Sequence, residues 1–212
     1  MDIIVERFRN IKSKINNNKV NIIAVSKTFP FEHIKSLVEE GHEHFGENKV
    51  QEATHKWLHS RQSYPDIKLH MIGKLQSNKA KGAVELFDFV HSLDSQKLAD
   101  NLHKCETNQK KKLKYFIQVN VGQETQKSGL HPSLVDQFYN YCTKEIKLNI
   151  IGLMSIPPLD GNTEKHFQYL YETNASLGLK ELSMGMSADY NLALKYSSTF
   201  VRIGSAIFGE RV

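Results

Sequence analysis

The sequence predicts an α/β protein: a single (β/α)8 TIM barrel of eight parallel strands with an extra N-terminal helix, one domain over residues 1–212. Three observations point there. Short apolar runs recur eight times, at about 26 residues per unit. Amphipathic stretches with apolar residues three and four apart separate them. No Pro-, Gly- or Ser-rich linker or composition shift divides the chain. Strands alternating with helices need crossover connections and hence parallel pairing, and this unit length suits a barrel near the lower limit of about 200 residues. A doubly wound open sheet satisfies the same periodicity and stays open as the alternative.

The elements follow in order. The opening MDIIVERFRNIKSKI places charge among apolar residues at helical spacing, which makes a helix and not a signal peptide. Strands are predicted at 21–26 (NIIAVS), 44–46 (HFG), 68–73 (KLHMIG) and 89–93 (FVHSL). Four more are predicted at 115–121 (YFIQVNV), 150–156 (IIGLMSI), 181–186 (ELSMGM) and 200–208 (FVRIGSAIF). The amphipathic segments 32–40, 49–60, 95–104, 134–144, 164–176 and 188–196 are the intervening helices.

Composition narrows the function classes. Hydrophobic residues are 40% and charged residues 24% of the chain, the proportions of a globular protein. The net charge of +5 suits small anions but does not by itself indicate nucleic acid. Lys104, Lys110, Lys111, Lys112 and Lys114 cluster before a strand without interleaved aromatics, which describes a solvated loop at the non-catalytic end. No run of about 18 apolar residues is present, so no membrane-spanning helix is expected. Cys105 and Cys142 form neither a CxxC pair nor a metal spacing, so a reducing cytoplasm is the expected compartment.

In a parallel barrel, chemistry collects where strands end and helices begin. After the first strand comes Ala24-Val25-Ser26-Lys27-Thr28-Phe29-Pro30. A lysine taken alone is usually a solvated surface residue. Here Pro30 sets the turn and starts a helix, which puts Lys27 at the barrel mouth. A partly desolvated lysine has a lowered pKa and becomes an amine nucleophile toward an aldehyde. The last two units look like an anion site. Ser187 is expected to cap the helix at 188–196, and Gly204 permits close approach, with the amides of Gly204 and Ser205 as donors. Phosphate sites after strands seven and eight recur in barrels. Ser187 merely capping, and the glycines merely turning, remains the plain alternative.

With these residues in view, the chain resembles the YggS/PROSC family of pyridoxal phosphate (PLP) homeostasis proteins. The matching segments are AVSKTFP (24–30), HFGENKVQEA (44–53), HMIGKLQSNKAK (70–81), HSLDS (91–95), KSG (127–129), GLMSIPP (152–158), LSMGMSADY (182–190) and STFVRIGSAIFGER (198–211). The resemblance implies a barrel like the alanine racemase N-terminal domain. It implies that Lys27 forms a Schiff base with PLP, that Ser187, Gly204 and Ser205 hold the phosphate, and that Arg202 faces the pyridine nitrogen. Asn48 and Met154 match positions lining the cofactor pocket. The chain departs from the pattern at Lys49, where an aromatic residue is common, at Lys74, where proline is common, and at Ser197, where glycine is common. A serine in a left-handed turn costs about 1 kcal/mol, which a fold absorbs.

The implied function follows from the arginine. Aminotransferases place a carboxylate on the pyridine nitrogen and keep it protonated, whereas an arginine only donates to a neutral nitrogen. The ring then withdraws electrons weakly. A racemase of this group also draws a second base from a C-terminal domain, for which a chain ending at Val212 leaves no room. The expectation is a monomeric, cytoplasmic protein that binds PLP, and possible other B6 vitamers, and hands PLP to apo-enzymes without appreciable catalysis. A PLP-dependent amino-acid racemase is the alternative, and a barrel enzyme acting on a phosphate sugar is the third. Neither nucleic acid, membrane nor metal is expected as a partner.

Other constellations carry less. His55 and His59 are four apart, but Lys56 stands where a metalloprotease has glutamate. His42 and His44 flank a strand and suit structure or solvent better than a metal. His70 and His91 are expected to be packing or edge residues, and Lys79 to be solvated. Glu47 and Asp94 stand at strand ends and could orient pocket groups. Cys105 and Cys142 have no neighbouring base that would make a catalytic thiol.

Overall fold

The computed structural model describes residues 2–210. Helix α1 (Ile3–Ile15) begins where the Asp2 carboxylate accepts from the Ile4 amide at 2.7 Å, and its stripe Ile4, Val5, Phe8, Ile11 and Ile15 is buried. It lies against α2 (Phe31–Glu39) and α9 (Ser205–Phe208). Eight strands then alternate with helices. They are β1 (Asn21–Val25), β2 (His44–Glu47), β3 (Lys68–Met71), β4 (Phe89–Leu93), β5 (Lys114–Gln118), β6 (Ile150–Met154), β7 (Glu181–Met186) and β8 (Phe200–Ile203). Helices α3 (Val50–Ser63), α4 (Ala80–Leu86), α5 (Gln96–Gln109), α6 (Val135–Asn140), α7 (Thr163–Ser176) and α8 (Tyr190–Lys195) complete the outer ring.

Every strand pairs in parallel with its sequence neighbour, and β8 pairs with β1, Asn21 opposite Phe200 and Ala24 opposite Ile203. The ring is closed, which rules out the open sheet. Parallel strands buried on both faces read as continuous apolar runs, and these do. One face packs outward under the helices, for example Phe45, Leu69, Leu93 and Ile117. The other fills the barrel with Ile23, Phe89, Phe116, Met154 and Phe200. The β6–β7 contact is close enough to demand glycine: a Cβ on Gly152 would lie 1.9 Å from the Glu181 carbonyl oxygen.

Several boundaries differ from the sequence reading. The apolar run 200–208 is two elements, since β8 stops at Ile203 and Ser205–Phe208 forms one helical turn. A short apolar run buried all round does not distinguish strand from helix. The strands expected at 115–121 and 150–156 end earlier, at Gln118 and Met154. The helix expected at 134–144 is α6 followed by a π-helical segment, Tyr141–Glu145. The helix expected at 188–196 begins only at Tyr190. Ser197 has φ +59°, the left-handed conformation expected of it. Among the described residues, no helix is long and apolar enough to cross a membrane.

Candidate functional site at the barrel mouth

At the carboxyl end of the ring, strand ends β7, β8, β1 and β2 stand side by side. Lys27 is half-buried in the turn after β1. A buried network beneath β1 and β2 holds that turn. Glu47 is fully buried, and its Oε1 accepts from Ser26 Oγ at 2.7 Å, Lys56 Nζ at 2.7 Å and Trp57 Nε1 at 3.0 Å. Lys56, from α3, also donates to the Ser26 carbonyl at 2.6 Å, and its side chain is only 8% exposed. The Ser26 amide in turn donates to the Gly46 carbonyl at 3.0 Å. The residue before Lys27 is therefore anchored by amide, carbonyl and hydroxyl at once. Glu47 is the pocket-orienting carboxylate that its strand-end position suggested.

Arg202 lies inside the barrel, 4% exposed. Its Nη1 donates to the Ser183 carbonyl at 2.9 Å and to Ser183 Oγ at 2.6 Å, and its Nη2 donates to the Ser155 carbonyl at 2.8 Å. A guanidinium carries five N–H groups. Two of them have no acceptor among the described residues, and no carboxylate forms an ion pair with this arginine. Burial lowers its pKa to about 10, so it remains cationic at neutral pH but titrates below an ordinary arginine. A buried cation with spare donors calls for a ligand acceptor.

Ser187 does not cap α8, contrary to expectation. It sits half-buried in the turn 187–189, where Asp189 closes the loop by accepting from the Met186 amide at 2.6 Å. Asp189 is the residue at the N-cap position of α8, yet its side chain bonds back to the end of β7 and makes no capping hydrogen bond to the helix. The Ser187 hydroxyl and the amides of Ser187 and Ala188 bond to no other described residue. The amides of Gly204 and Ser205 are equally unengaged at the end of β8. Met186 is opposite Arg202 in the ladder, so the two turns are neighbours. Gly204 in turn touches β1, since a Cβ placed on it would lie 3.4 Å from Val25 Cβ. The turns after β7 and β8, Arg202 and Lys27 thus share one sector of the barrel.

Asn48 follows Glu47 on the other side of Lys27. Gly73 makes room for it, because a Cβ on Gly73 would lie 2.4 Å from the Asn48 carbonyl oxygen. Asn48 lines a cavity of about 380 Å³ with Lys49, Met71, Lys74, Gln76 and Lys79. Lys79, expected in solvent, is half-buried on that wall. Met154 is fully buried among the inner aromatic residues, so it forms floor and not rim. His70 and His91 are neither edge nor plain packing residues: both are fully buried inside the ring, and both use their two nitrogens in hydrogen bonds. Ser26, Lys56, Ser155 and Ser183 were given no site role from the sequence. Among the described residues, no group of three or more His, Cys, Asp or Glu side chains could hold a metal ion.

Comparison with known proteins follows the same lines. Residues 1–212 match the family described as "Alanine racemase, N-terminal domain". A pyridoxal phosphate homeostasis protein of Vibrio alginolyticus is 40% identical over 205 residues, 91% of this chain and 87% of that one. The structure of PipY from Synechococcus elongatus PCC7942 with PLP bound superposes with a TM-score of 0.89 at 36% identity, covering 97% of this chain and 100% of that one. An alanine racemase of Clostridium difficile 630 superposes with a TM-score of 0.77 over 100% of this chain and 57% of that one. At 14% identity, that last likeness concerns the fold alone.

Proposed function

Because the chain belongs to the alanine racemase N-terminal domain family, and within it to the pyridoxal phosphate homeostasis proteins, we propose that it holds PLP as a Schiff base on Lys27 and buffers or delivers it without appreciable catalysis. PLP is its cofactor. The observation that carries the reading is the buried Arg202 guanidinium with two N–H groups left over, set between the Lys27 turn and the cradle of unengaged amides. When bound, PLP supplies an aldehyde for an amine and an electron-withdrawing ring.

The residues divide the work. Ser187, Gly204 and Ser205 donate to the phosphate, with no lysine or arginine needed in the cradle itself. Lys27 would supply the amine that holds the aldehyde. The Glu47–Lys56 network keeps that turn from moving. Arg202 would donate to the pyridine nitrogen while keeping its own proton at neutral pH, which would leave that nitrogen neutral and the ring a weak electron sink. Asn48, on the β2 side, and Met154, buried inside the barrel, would line the cofactor pocket. The one barrel carries the whole site, and the protein works as a cytoplasmic monomer whose protein partners are apo-enzymes lacking PLP.

Absorption spectroscopy, borohydride reduction and peptide mapping test the cofactor reading: one PLP per chain, trapped on Lys27, is the supporting result. Incubation with each common amino acid tests catalysis, and steady racemization lost in Lys27→Ala would instead establish a racemase. Release of PLP to an apo-enzyme, followed by that enzyme's regained activity, tests delivery.

A further inference from the structure

Three histidines on consecutive strands have no part in the function above, yet they are joined in series. His44 Nδ1 lies 2.9 Å from His70 Nε2, His70 Nδ1 lies 2.9 Å from His91 Nε2, and His91 Nδ1 lies 2.9 Å from Ser183 Oγ. Ser183 Oγ then accepts from Arg202 Nη1 at 2.6 Å. The series begins at a cavity of about 550 Å³ at the foot of the barrel, lined by Phe8, Lys12, Asn21, His42 and His44. It ends at the guanidinium on the side of the mouth. Phe89 stacks on His70 and Phe116 on His91, each with ring centroids 4.3 Å apart, so both imidazole planes are clamped.

The polarity of this chain follows from its last member. A guanidinium only donates, so Ser183 Oγ must accept from Arg202. If the Ser183 hydroxyl donates to His91 Nδ1, then His91 holds its proton on Nε2 and gives it to His70 Nδ1. His70 likewise donates from Nε2 to His44 Nδ1, and every buried nitrogen is satisfied. In the reverse polarity, Ser183 Oγ accepts twice and its own hydrogen has no acceptor, which buried hydroxyls avoid. Burial drives the pKa of His70 and His91 far below the usual histidine value, with His91 and Arg202 as the respective neighbouring charges. His44 is lowered as well, by burial. Neutral imidazoles, each donating once and accepting once, are what the series requires.

We propose that His44, His70, His91 and Ser183 form a one-way hydrogen-bond relay that orients Arg202 for its ligand, with His91 and Ser183 as positioning residues of the PLP site. This rests on the reading of Arg202 given above. The relay makes the far end of the barrel sensitive to what stands beside the arginine, because changing one donor forces the next imidazole to change tautomer.

Nitrogen-15 spectra of histidine-labelled protein without PLP test the relay independently of any ligand. His44, His70 and His91 are expected as neutral Nε2–H tautomers, and an Nδ1–H or doubly protonated form of any of them at neutral pH overturns the proposal. Ser183→Ala removes the polarity source and is expected to shift the His44 signals at the opposite end, whereas Ser183→Thr preserves them. A purely structural serine would leave His44 unmoved in both, and that result refutes the relay. Loss of one charge-assisted hydrogen bond to the arginine is expected to weaken PLP retention about tenfold in Ser183→Ala, with recovery in Ser183→Thr. Unchanged retention refutes the positioning role. A wild-type protein that bound no PLP would instead defeat the function proposed above and leave the tautomer result standing.

Discussion

Glu47→Ala removes the one acceptor shared by three buried donors. The variant strands Ser26 Oγ and Trp57 Nε1 and leaves the Lys56 ammonium, 8% exposed, with only the Ser26 carbonyl. Breaking a buried ion pair from one side costs about 3–5 kcal/mol, because an uncompensated charge stays behind. For a protein of this size that is a fall in Tm of about 6–20 °C. The exposed Arg9–Glu40 pair, with side chains 52% and 29% exposed, supplies the control: Glu40→Ala is expected to cost less than about 1 kcal/mol. Lys56→Met should be as harmful as Glu47→Ala, since it leaves the carboxylate without its cation. The double variant Glu47→Leu with Lys56→Met removes both charges and should lose well under the sum of the single losses. Chemical denaturation of all four variants, with Kd for PLP beside it, measures this. A Glu47→Ala loss below about 1 kcal/mol, or a double variant as unstable as the sum, would refute the anchoring argument.

Four other outcomes are expected. Lys27→Ala should abolish borohydride-trappable PLP while leaving the fold intact by circular dichroism. Arg202→Ala should lose PLP hold at least about tenfold and also lose stability, because the Ser155 carbonyl is left without its donor; calorimetry and spectral titration separate the two. Acidification should destabilise the protein below about pH 6.5. His70 and His91 stay neutral when folded, and burial holds His42 to about 3, whereas the unfolded chain takes up protons near 6.5. Stability is therefore full above that value and is lost as pH falls, by about 2 kcal/mol for each such histidine at pH 5, which urea midpoints between pH 7.5 and 5 would show. Cys142, fully buried with its thiol pushed up to about 12, should resist iodoacetamide in the folded protein, as mass spectrometry would record.

The barrel was legible because its strands are buried on both faces and its helices on one, a contrast that periodicity reports directly. Lys27 was legible from its place between an apolar run and Pro30. Lys56 was not: in the sequence it marks only a missing glutamate between His55 and His59, and its return to Glu47, nine residues earlier, depends on how α3 packs on β2. The histidines carried a usable signal, one inward-phase histidine on each of β2, β3 and β4, but neighbouring strands align only when register is known. Ser187 was misassigned because residues 187–189 form a turn and the helix starts only at Tyr190, so the N-cap position falls on Asp189, two residues on. Register and side-chain reach, not residue type, decided these cases.

The pairing of Asn21 with Phe200 has a bearing on how the protein is made. The amine arrives with the first strand to leave the ribosome and the guanidinium with the last, so no nascent or truncated chain lacking β8 can assemble the binding site. Ring closure must join segments separated by most of the polypeptide, a slow event governed by long-range contact formation. On the function proposed above, Schiff-base absorbance in a translation reaction would report only chains made through β8, and shorter nascent chains would withdraw no PLP from the cell.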